Sequence, residues 1–141
     1  MREILFKSKS QDGSWVEGFL NRGADCQHSA WWIYRPAADP DDRNKIFYCD
    51  PSTVRQYVGL KDSLGQRIFE GDIIRAVADV SCIPAGTVGY VAWSTTICGY
   101  EIRTAGGAYL LDAECGQSFA VIGNTVDDAQ LLRCGDETKE N

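Results

Sequence analysis

The chain has 141 residues, 44% of them hydrophobic and 24% charged, and its formal net charge is -6. This length suits one domain with its own core, and the hydrophobic fraction is too high for a disordered chain. Proteins that hold the nucleic-acid backbone need clustered Lys and Arg, whereas the 14 basic residues here are scattered. The composition therefore argues against non-specific nucleic-acid binding.

Neither a targeting segment nor a membrane span is predicted. The opening stretch MREILFKSKSQDGSW is charged and lacks the apolar region of a signal peptide, and no apolar run approaches the roughly 18 residues of a membrane helix. We therefore expect a cytoplasmic protein whose six cysteines are mostly free thiols. No CxxC pair is present, and the single histidine, His28, follows Cys26 in a polar stretch typical of an exposed loop. No metal site and no cofactor are predicted.

Apolar alternation predicts a hairpin at the N-terminus. The stretches REILFKS and SWVEGFL flank Asp12 and Gly13, a dipeptide favoured in tight turns between strands. In the second stretch, Trp15 and Phe19 share a face, with Glu17 between them. We expect two antiparallel strands joined at the Asp12-Gly13 turn.

The following elements are less regular. AWWIYR and KIFYC are predicted as a third and a fourth strand, separated by a loop rich in Pro and Asp at residues 36–44. In DPSTVRQYVG, Asp50 can cap a helix, Pro51 suits the first helical position and Gly59 can lie just past the end. This stretch predicts a helical element of at most about two turns, or a tight turn.

The stretch GLKDSLGQRIFEGDII repeats a glycine every six residues, at Gly59, Gly65 and Gly71. A phosphate-binding loop needs Lys and Ser or Thr directly after its last glycine, and a carboxylate at Asp72 would repel phosphate instead. Dinucleotide-binding loops need closer glycines. We interpret the three glycines as turn positions between strands, with Asp62 and Asp72 capping the turns.

Short strands with glycine turns continue to the end of FAVIGN, and TVDDAQLLR is predicted as a closing helix. The fold class expected is mainly β, with few short helical turns. An N-terminal hairpin region, residues 1–50, would pack on a small SH3-like β-barrel within residues 51–133, followed by a polar tail at residues 134–141. Trp15 and Trp93 are predicted to lie in the core.

Several of these stretches resemble the YopX family of small phage and prophage proteins. The matching segments, in family order, are REILFK, GSWVEGFL, QYVGLKDSLGQRIFEGDII, GYVAW and VIGNTVDDAQLL. The resemblance spans residues 2–132 and implies a mostly β fold and a phage or prophage origin. It implies no biochemical activity, so no catalytic residue can be carried over. Residues 21–50 and the segment ADVSCIPAGT depart from the family pattern.

The candidate binding residues are Trp31, Trp32, Tyr34 and Arg35, in AWWIYR. Adjacent residues of a strand point to opposite faces, so Trp31 and Trp32 cannot both lie in one core. Three interpretations stay open: both faces are covered by other segments, one tryptophan anchors a protein interface, or the aromatic rings stack on nucleic-acid bases.

Candidate chemistry is sparse elsewhere. Asp62, Glu70 and Asp72 are candidates for a carboxylate cluster that holds a metal ion or serves acid–base catalysis, but acidic turns before strands are common without any such role. Cysteine catalysis would have to use His28, and no segment resembles a nucleophile motif. We expect a non-enzymatic module that binds a host or phage protein. The alternatives are a nucleic-acid-binding regulator and, less favoured, a hydrolase using Glu70 or Asp72.

Overall fold

The structure is a computed structural model and describes residues 3–24, 29–35 and 46–132. Within these ranges the chain is mainly β, as expected, with eleven strands and very little helix. The strands form two antiparallel sheets, ordered β4-β3-β2-β1-β5-β6 and β10-β9-β8-β7-β11. Their bounds are β1 Phe6–Lys9, β2 Trp15–Ala24, β3 Ser29–Tyr34, β4 Ile46–Tyr48, β5 Arg55–Lys61, β6 Arg67–Phe69, β7 Asp72–Ala76, β8 Val88–Ser94, β9 Gly99–Thr104, β10 Gly107–Leu110 and β11 Phe119–Asn124.

The chain divides into two compact units, residues 1–57 and 58–141. The boundary falls inside β5, so that β1 to β4 belong to the first unit and β6 to β11 to the second. Strand pairing in the described residues gives two sheets and no closed barrel. The small SH3-like barrel therefore stays a prediction.

The predicted N-terminal hairpin is confirmed. β1 pairs antiparallel with β2, and the backbone N–H of Ser10 donates to Ser14 O across the turn (2.9 Å). Gly13 has a positive φ of 86°, a conformation that glycine adopts without steric cost. The Asp12 carboxylate accepts hydrogen bonds from the hydroxyls of Ser10 and Ser14 and from the Ser14 N–H. These bonds favour the charged form and lower the pKa of Asp12 to about 2.

The hairpin buries the face opposite to the one that carries Trp15 and Phe19. Val16 and Ser8 are directly paired and buried, whereas Phe19 is exposed and Trp15 is half-buried. Ile33 on β3 is fully buried. The buried face of β2 is thus formed by its even-numbered residues. Trp15, which was predicted to lie in the core, is only half-buried.

Of the two structures predicted after Asp50, a short helix of at most about two turns or a tight turn, the tight turn is confirmed and the longer helix is wrong. Pro51–Thr53 forms one 3-10 turn, capped by the Asp50 carboxylate, which accepts from the Ser52 N–H (3.0 Å). The chain then enters β5, where Tyr57 N donates to Leu5 O (2.8 Å). Pairing with β1 supplies hydrogen bonds along the strand, and this tertiary partner overrides the local helix signal.

Ile74, Val91, Ile102 and Phe119 lie at the centre of the second unit's core. β9 alternates between the core and solvent, because Ile102 is buried and its neighbour Arg103 is exposed. The further members of this core are Val58, Ile68, Ala76, Ile83, Tyr100, Leu111 and Cys115.

Trp93 is not a core residue, which corrects the prediction. Its side chain is 46% exposed near the end of β8, with its ring edge against the Tyr100 ring at 5.2 Å between centroids. The hydrophobic stretch GYVAW reads as a continuous core strand, but only Val91 at its centre reaches the core cluster.

Two of the three glycines predicted as turn positions lie in turns. Gly65 and Gly71 both have φ of +81°, and the Gly71 N–H donates to Val91 O (2.7 Å). Gly59 instead lies inside β5 with φ of +93°. In the predicted closing helix, residues 130–132 are helical, and the residues from 133 onward lie outside the described part. No helix of the described residues is long and apolar enough to cross a membrane.

Candidate functional site

β3 divides the four predicted binding residues between its two faces. Trp32 pairs with Asn21 on one side and with Tyr48 on the other, and Tyr34 pairs with Phe19. Residues that pair directly across strands share a face. Trp32 and Tyr34 therefore lie on one face, and Trp31 lies on the opposite face with the buried Ile33.

Five large side chains share the face that Trp32 and Tyr34 occupy, and we call this surface the aromatic face. The register places Phe19, Tyr34 and Ile46 in one row and Trp32 and Tyr48 in the next. Their exposed fractions are 48% for Phe19, 37% for Tyr34, and 56% for both Ile46 and Tyr48, while Trp32 is half-buried. Exposed apolar side chains scattered singly are normal, but a contiguous group marks an interaction surface.

Trp32 is held in place by its neighbours. Its ring meets the Tyr48 ring edge-on, with 6.3 Å between centroids and 60° between planes. The ring also lies over Gly23, where an added Cβ would stand 3.0 Å from two of its atoms. The absence of a side chain at Gly23 makes room for the indole. Trp32 therefore presents a rigid edge at the centre of the aromatic face.

Trp31 and Arg35 belong to the other face. The guanidinium of Arg22 lies 5.0 Å from the centroid of the Trp31 ring, and Arg35 lies over the Phe47 ring at 4.9 Å. Phe47 pairs with Ile33, which identifies its face. Both contacts have cation–π geometry. The sequence prediction grouped all four residues as one candidate surface. In the structure, Trp32 and Tyr34 lie on one face, and Trp31 and Arg35 lie on the other.

The aromatic face continues along β2 to a basic end. Trp15 and Glu17 lie on the same face of β2 as Phe19, because each is an even number of positions away from it. Trp15 pairs with Lys9, and Glu17 pairs with Lys7. The two Lys Nζ atoms lie 5.0 Å (Lys7) and 5.7 Å (Lys9) from the Trp15 ring centroid. The surface therefore combines aromatic rings with two cations and one carboxylate.

Sequence reasoning missed Ile46 and Tyr48, and it did not connect Phe19 with AWWIYR. A signal was present, because Phe19 was already assigned to the face of Trp15 rather than that of Val16. What the pattern did not show was which of the two faces is buried, since both carry large apolar side chains. Only the register with β3 and β4 assembles the surface.

The candidate carboxylates mainly organise the backbone. Asp62 is buried, and its Oδ1 accepts from Leu64 N (2.9 Å) and Gln66 N (2.8 Å) while its Oδ2 accepts from Val121 N (3.0 Å). Asp72 is also buried, and its Oδ2 accepts from Phe69 N (2.8 Å). These bonds agree with the predicted turn-capping roles.

Nucleophiles and metal ligands are dispersed. Glu70 is half-buried, and within the described ranges no three His, Cys, Asp or Glu side chains come together as a group that could hold a metal ion. Cys115 is buried, and burial raises the pKa of its thiol, which disfavours the reactive thiolate. Cys82 and Cys98 are exposed free thiols. Cys26 and His28 lie outside the described residues.

A family comparison agrees with the resemblance carried by the sequence. The family described as YopX protein matches residues 6–133. The chain belongs to the YopX family. No curated protein matches it.

One solved structure adds a likeness of fold to the family match. The crystal structure of protein EF1440 from Enterococcus faecalis is 17% identical in sequence, with a TM-score of 0.51, over 94% of this chain and 99% of that chain. At this identity the likeness shows the fold alone. The two-sheet β architecture therefore occurs in a crystal structure as well as in this YopX chain.

Proposed function

We propose that this YopX chain is a phage- or prophage-encoded accessory protein that binds a host or phage protein in the host cytoplasm, without catalysing a reaction. The observation that carries the proposal is the aromatic face. Tyr and Trp are the residues on which protein interfaces most depend, because they bury large areas and lose little conformational freedom. Here Trp32, Tyr34 and Tyr48 lie together on one antiparallel sheet.

The shape of the surface supports a protein rather than a small molecule as ligand. Phe19, Tyr34 and Ile46 form a row across three adjacent strands of the sheet. Small molecules bind in concave sites that enclose most of their surface. A row of exposed apolar side chains on a sheet suits a partner protein that covers the row and buries these side chains.

A comparative affinity purification tests the proposal. Tagged wild-type protein and the double variant Phe19→Ser/Tyr48→Ala would be expressed in the host and captured after nuclease treatment. Leu64→Ala is the matched control, because Leu64 is an exposed apolar residue of a turn in the second unit. We expect a stoichiometric protein partner that the double variant loses by about tenfold or more and the control retains.

The outcome that contradicts the proposal is equally specific. A partner captured equally by wild type and double variant would place the interface elsewhere on the chain. Circular dichroism spectra and melting temperatures of the three proteins show whether the double variant is folded. A single Tyr48→Ala variant with an unchanged melting temperature replaces the double variant if that one unfolds.

A second candidate is a nucleic-acid-binding regulator, and the basic end of the aromatic face favours it. Lys7 and Lys9 flank the Trp15 ring, and single-stranded nucleic acids bind to aromatic rings supported by cations. The net charge of -6 weighs against it. Fluorescence polarisation with single- and double-stranded oligonucleotides at low salt decides. Binding that Lys7→Ala and Trp15→Ala both weaken would replace the first proposal.

A further inference from the structure

The two edges of the five-stranded sheet are unlike each other. At one end, β11 is covered on its outer side, where Ser63 N donates to Phe119 O (2.8 Å) and Val121 N donates to the Asp62 carboxylate (3.0 Å). At the other end, β10 pairs with β9 on one side, and in the described residues no strand pairs with its other side. An open edge is a template for another strand.

The register shows which backbone groups of β10 face outward. Tyr109 pairs with Ile102, and Leu111 N donates to Tyr100 O (3.1 Å). Successive residues of an antiparallel strand turn their backbone groups alternately toward and away from the neighbouring strand. The N–H and C=O groups of Ala108, like the N–H group of Leu110, therefore point away from β9.

Of the usual protections of an edge strand, β10 is short but has no blocking residue and no bulge. Its four residues, GAYL, include neither Lys nor Pro, and no bulge interrupts its pairing with β9. The outermost large side chain, Leu110, is 60% exposed. Natural edge strands are commonly blocked by charge, proline or bulges. β11, by contrast, carries a register irregularity between Val121 and Gly123.

A cavity of about 390 Å³ opens beside this edge. Its apolar lining includes Val80, Ile83 and Tyr109, and its acidic lining consists of Asp112 and Glu114. Asp112 accepts the N–H groups of Glu114 and Cys115 through Oδ1 (3.0 Å each), and its carboxylate also interacts with the Cys115 thiol, so Glu114 is the acidic group left to a ligand at this end. An apolar side chain suits the lining, and a cation suits the acidic end.

From these observations we infer that β10 binds an extended segment of a protein partner by strand addition. The segment pairs its backbone with Ala108 and Leu110, inserts an aliphatic side chain between Ile83 and Tyr109, and places Lys or Arg near Glu114. In a strand, residues two apart share a face, so the aliphatic and basic residues stand at positions i and i+2 of the partner. This site lies in the second unit and is independent of the aromatic face.

The direct test uses defined peptides on the full chain. The probe is a fluorescein-labelled heptapeptide, TKTVTKT, in which the Lys and Val side chains share one face; TETVTET is its charge-reversed match. Two further versions of TKTVTKT carry methyl groups on backbone nitrogens. One version is methylated at the Lys and Val residues, and the other is methylated at the Thr residues. Strand addition uses every second N–H of the peptide, so one methylated version should lose binding and the other should keep it.

Variants of the chain locate the site. Ala108→Pro removes an outward N–H that pairing with β9 does not use, and we expect binding about tenfold weaker with an unchanged circular dichroism spectrum. If the proline variant unfolds, Leu110→Lys replaces it as the test of this edge, because it places a cation beside the cavity. Glu114→Lys should weaken TKTVTKT about fivefold at low salt, whereas Asp127→Lys, an exposed charge change away from the cavity, should not.

The results separate this inference from its competitors. No binding of TKTVTKT, equal binding of TETVTET, or equal loss with both methylation patterns would overturn it. Sedimentation velocity showing a dimer that Leu110→Lys dissociates would also overturn it, in favour of a second copy as the occupant. A partner captured equally by wild type and by Phe19→Ser/Tyr48→Ala, with TKTVTKT binding intact, would refute the proposed function and leave this site standing.

Discussion

Asp62 illustrates how one side chain serves a local turn and a distant strand at once. Its Oδ1 accepts the N–H groups of Leu64 and Gln66 within the turn, and its Oδ2 accepts Val121 N, 59 positions later in the chain. The local part was predictable, because Asp in a turn often bonds backbone groups nearby. The bond to Val121 could not be predicted, because it depends on how β11 returns to this turn.

We expect Asp62→Ala to lower the free energy of unfolding by about 2–4 kcal/mol. Three backbone donors lose their acceptor, and because the Asp62 side chain is buried, water replaces that acceptor poorly. Urea unfolding followed by circular dichroism measures the change. Asp79→Ala is the control, because Asp79 is exposed and accepts one N–H, from Ala85; it should cost less than about 1 kcal/mol. Equal losses in the two variants would contradict a special role for Asp62.

At the scale of the element, β3 and β5 show the limits of local pattern. AWWIYR was recognised as a strand, and the alternation rule correctly placed Trp31 and Trp32 on opposite faces. The choice of the exposed face came from the neighbours of β3, which bring Phe19 and Tyr48 beside Trp32 and Tyr34. Because Asp50 is a good cap, the sequence predicted a short helix or a tight turn after it, and the strand β5 was missed; pairing with β1 is a long-range property.

Gly18 in β2 allows a close approach of β3, and this predicts an intolerance to alanine. An added Cβ would collide with Tyr34 O and would stand 2.8 Å from Ile33 Cγ2. Because backbone cannot yield as a flexible side chain can, we expect Gly18→Ala to destabilise by about 2–3 kcal/mol. At Gly99, the nearest atom to an added Cβ is Ile97 O at 3.9 Å. Gly99→Ala should therefore change stability by less than about 1 kcal/mol.

Thermal and urea denaturation of the two glycine variants, beside wild type, decide this prediction. A stable Gly18→Ala protein would mean that β3 moves away from β2 at little cost. Since that movement would shift Tyr34 and its neighbours, the same variant reports on the aromatic face. Near-ultraviolet circular dichroism of the tryptophan rings would show the displacement.

At the scale of the whole molecule, the described residues of the two units bury different amounts of apolar side chain. The larger core belongs to the second unit, where Ile73, Ile74, Val91 and Ile102 are almost completely buried on β7, β8 and β9. In the first unit, much of the apolar surface of β2, β3 and β4 stays exposed on the aromatic face. The described residues thus place the larger apolar core in the second unit and the aromatic face on the first.

Hydrogen exchange should reflect this distribution. We expect the slowest amides in β7, β8 and β9, since these strands are central in their sheet and carry the buried residues. Amides of the edge strands β4 and β10 should exchange faster by about tenfold or more. Hydrogen–deuterium exchange with mass spectrometry measures both sets in the same sample. Slow exchange throughout β10 would indicate that its outer edge is already paired, and would argue against strand addition there.

The sequence by itself determined the β class, the Asp12-Gly13 hairpin, the turns at Gly65 and Gly71, and the family. The hairpin and the turns depend on residues within a few positions of one another, where backbone preference and alternation act directly, whereas the family was recognised from segments in order along residues 2–132. Tertiary structure alone decided that β5 is a strand, that Trp93 is exposed, and that Trp32 and Tyr34 join Phe19, Ile46 and Tyr48 in one surface. Those outcomes depend on register between strands distant in the chain, and a residue's burial is a property of its partners rather than of its own type.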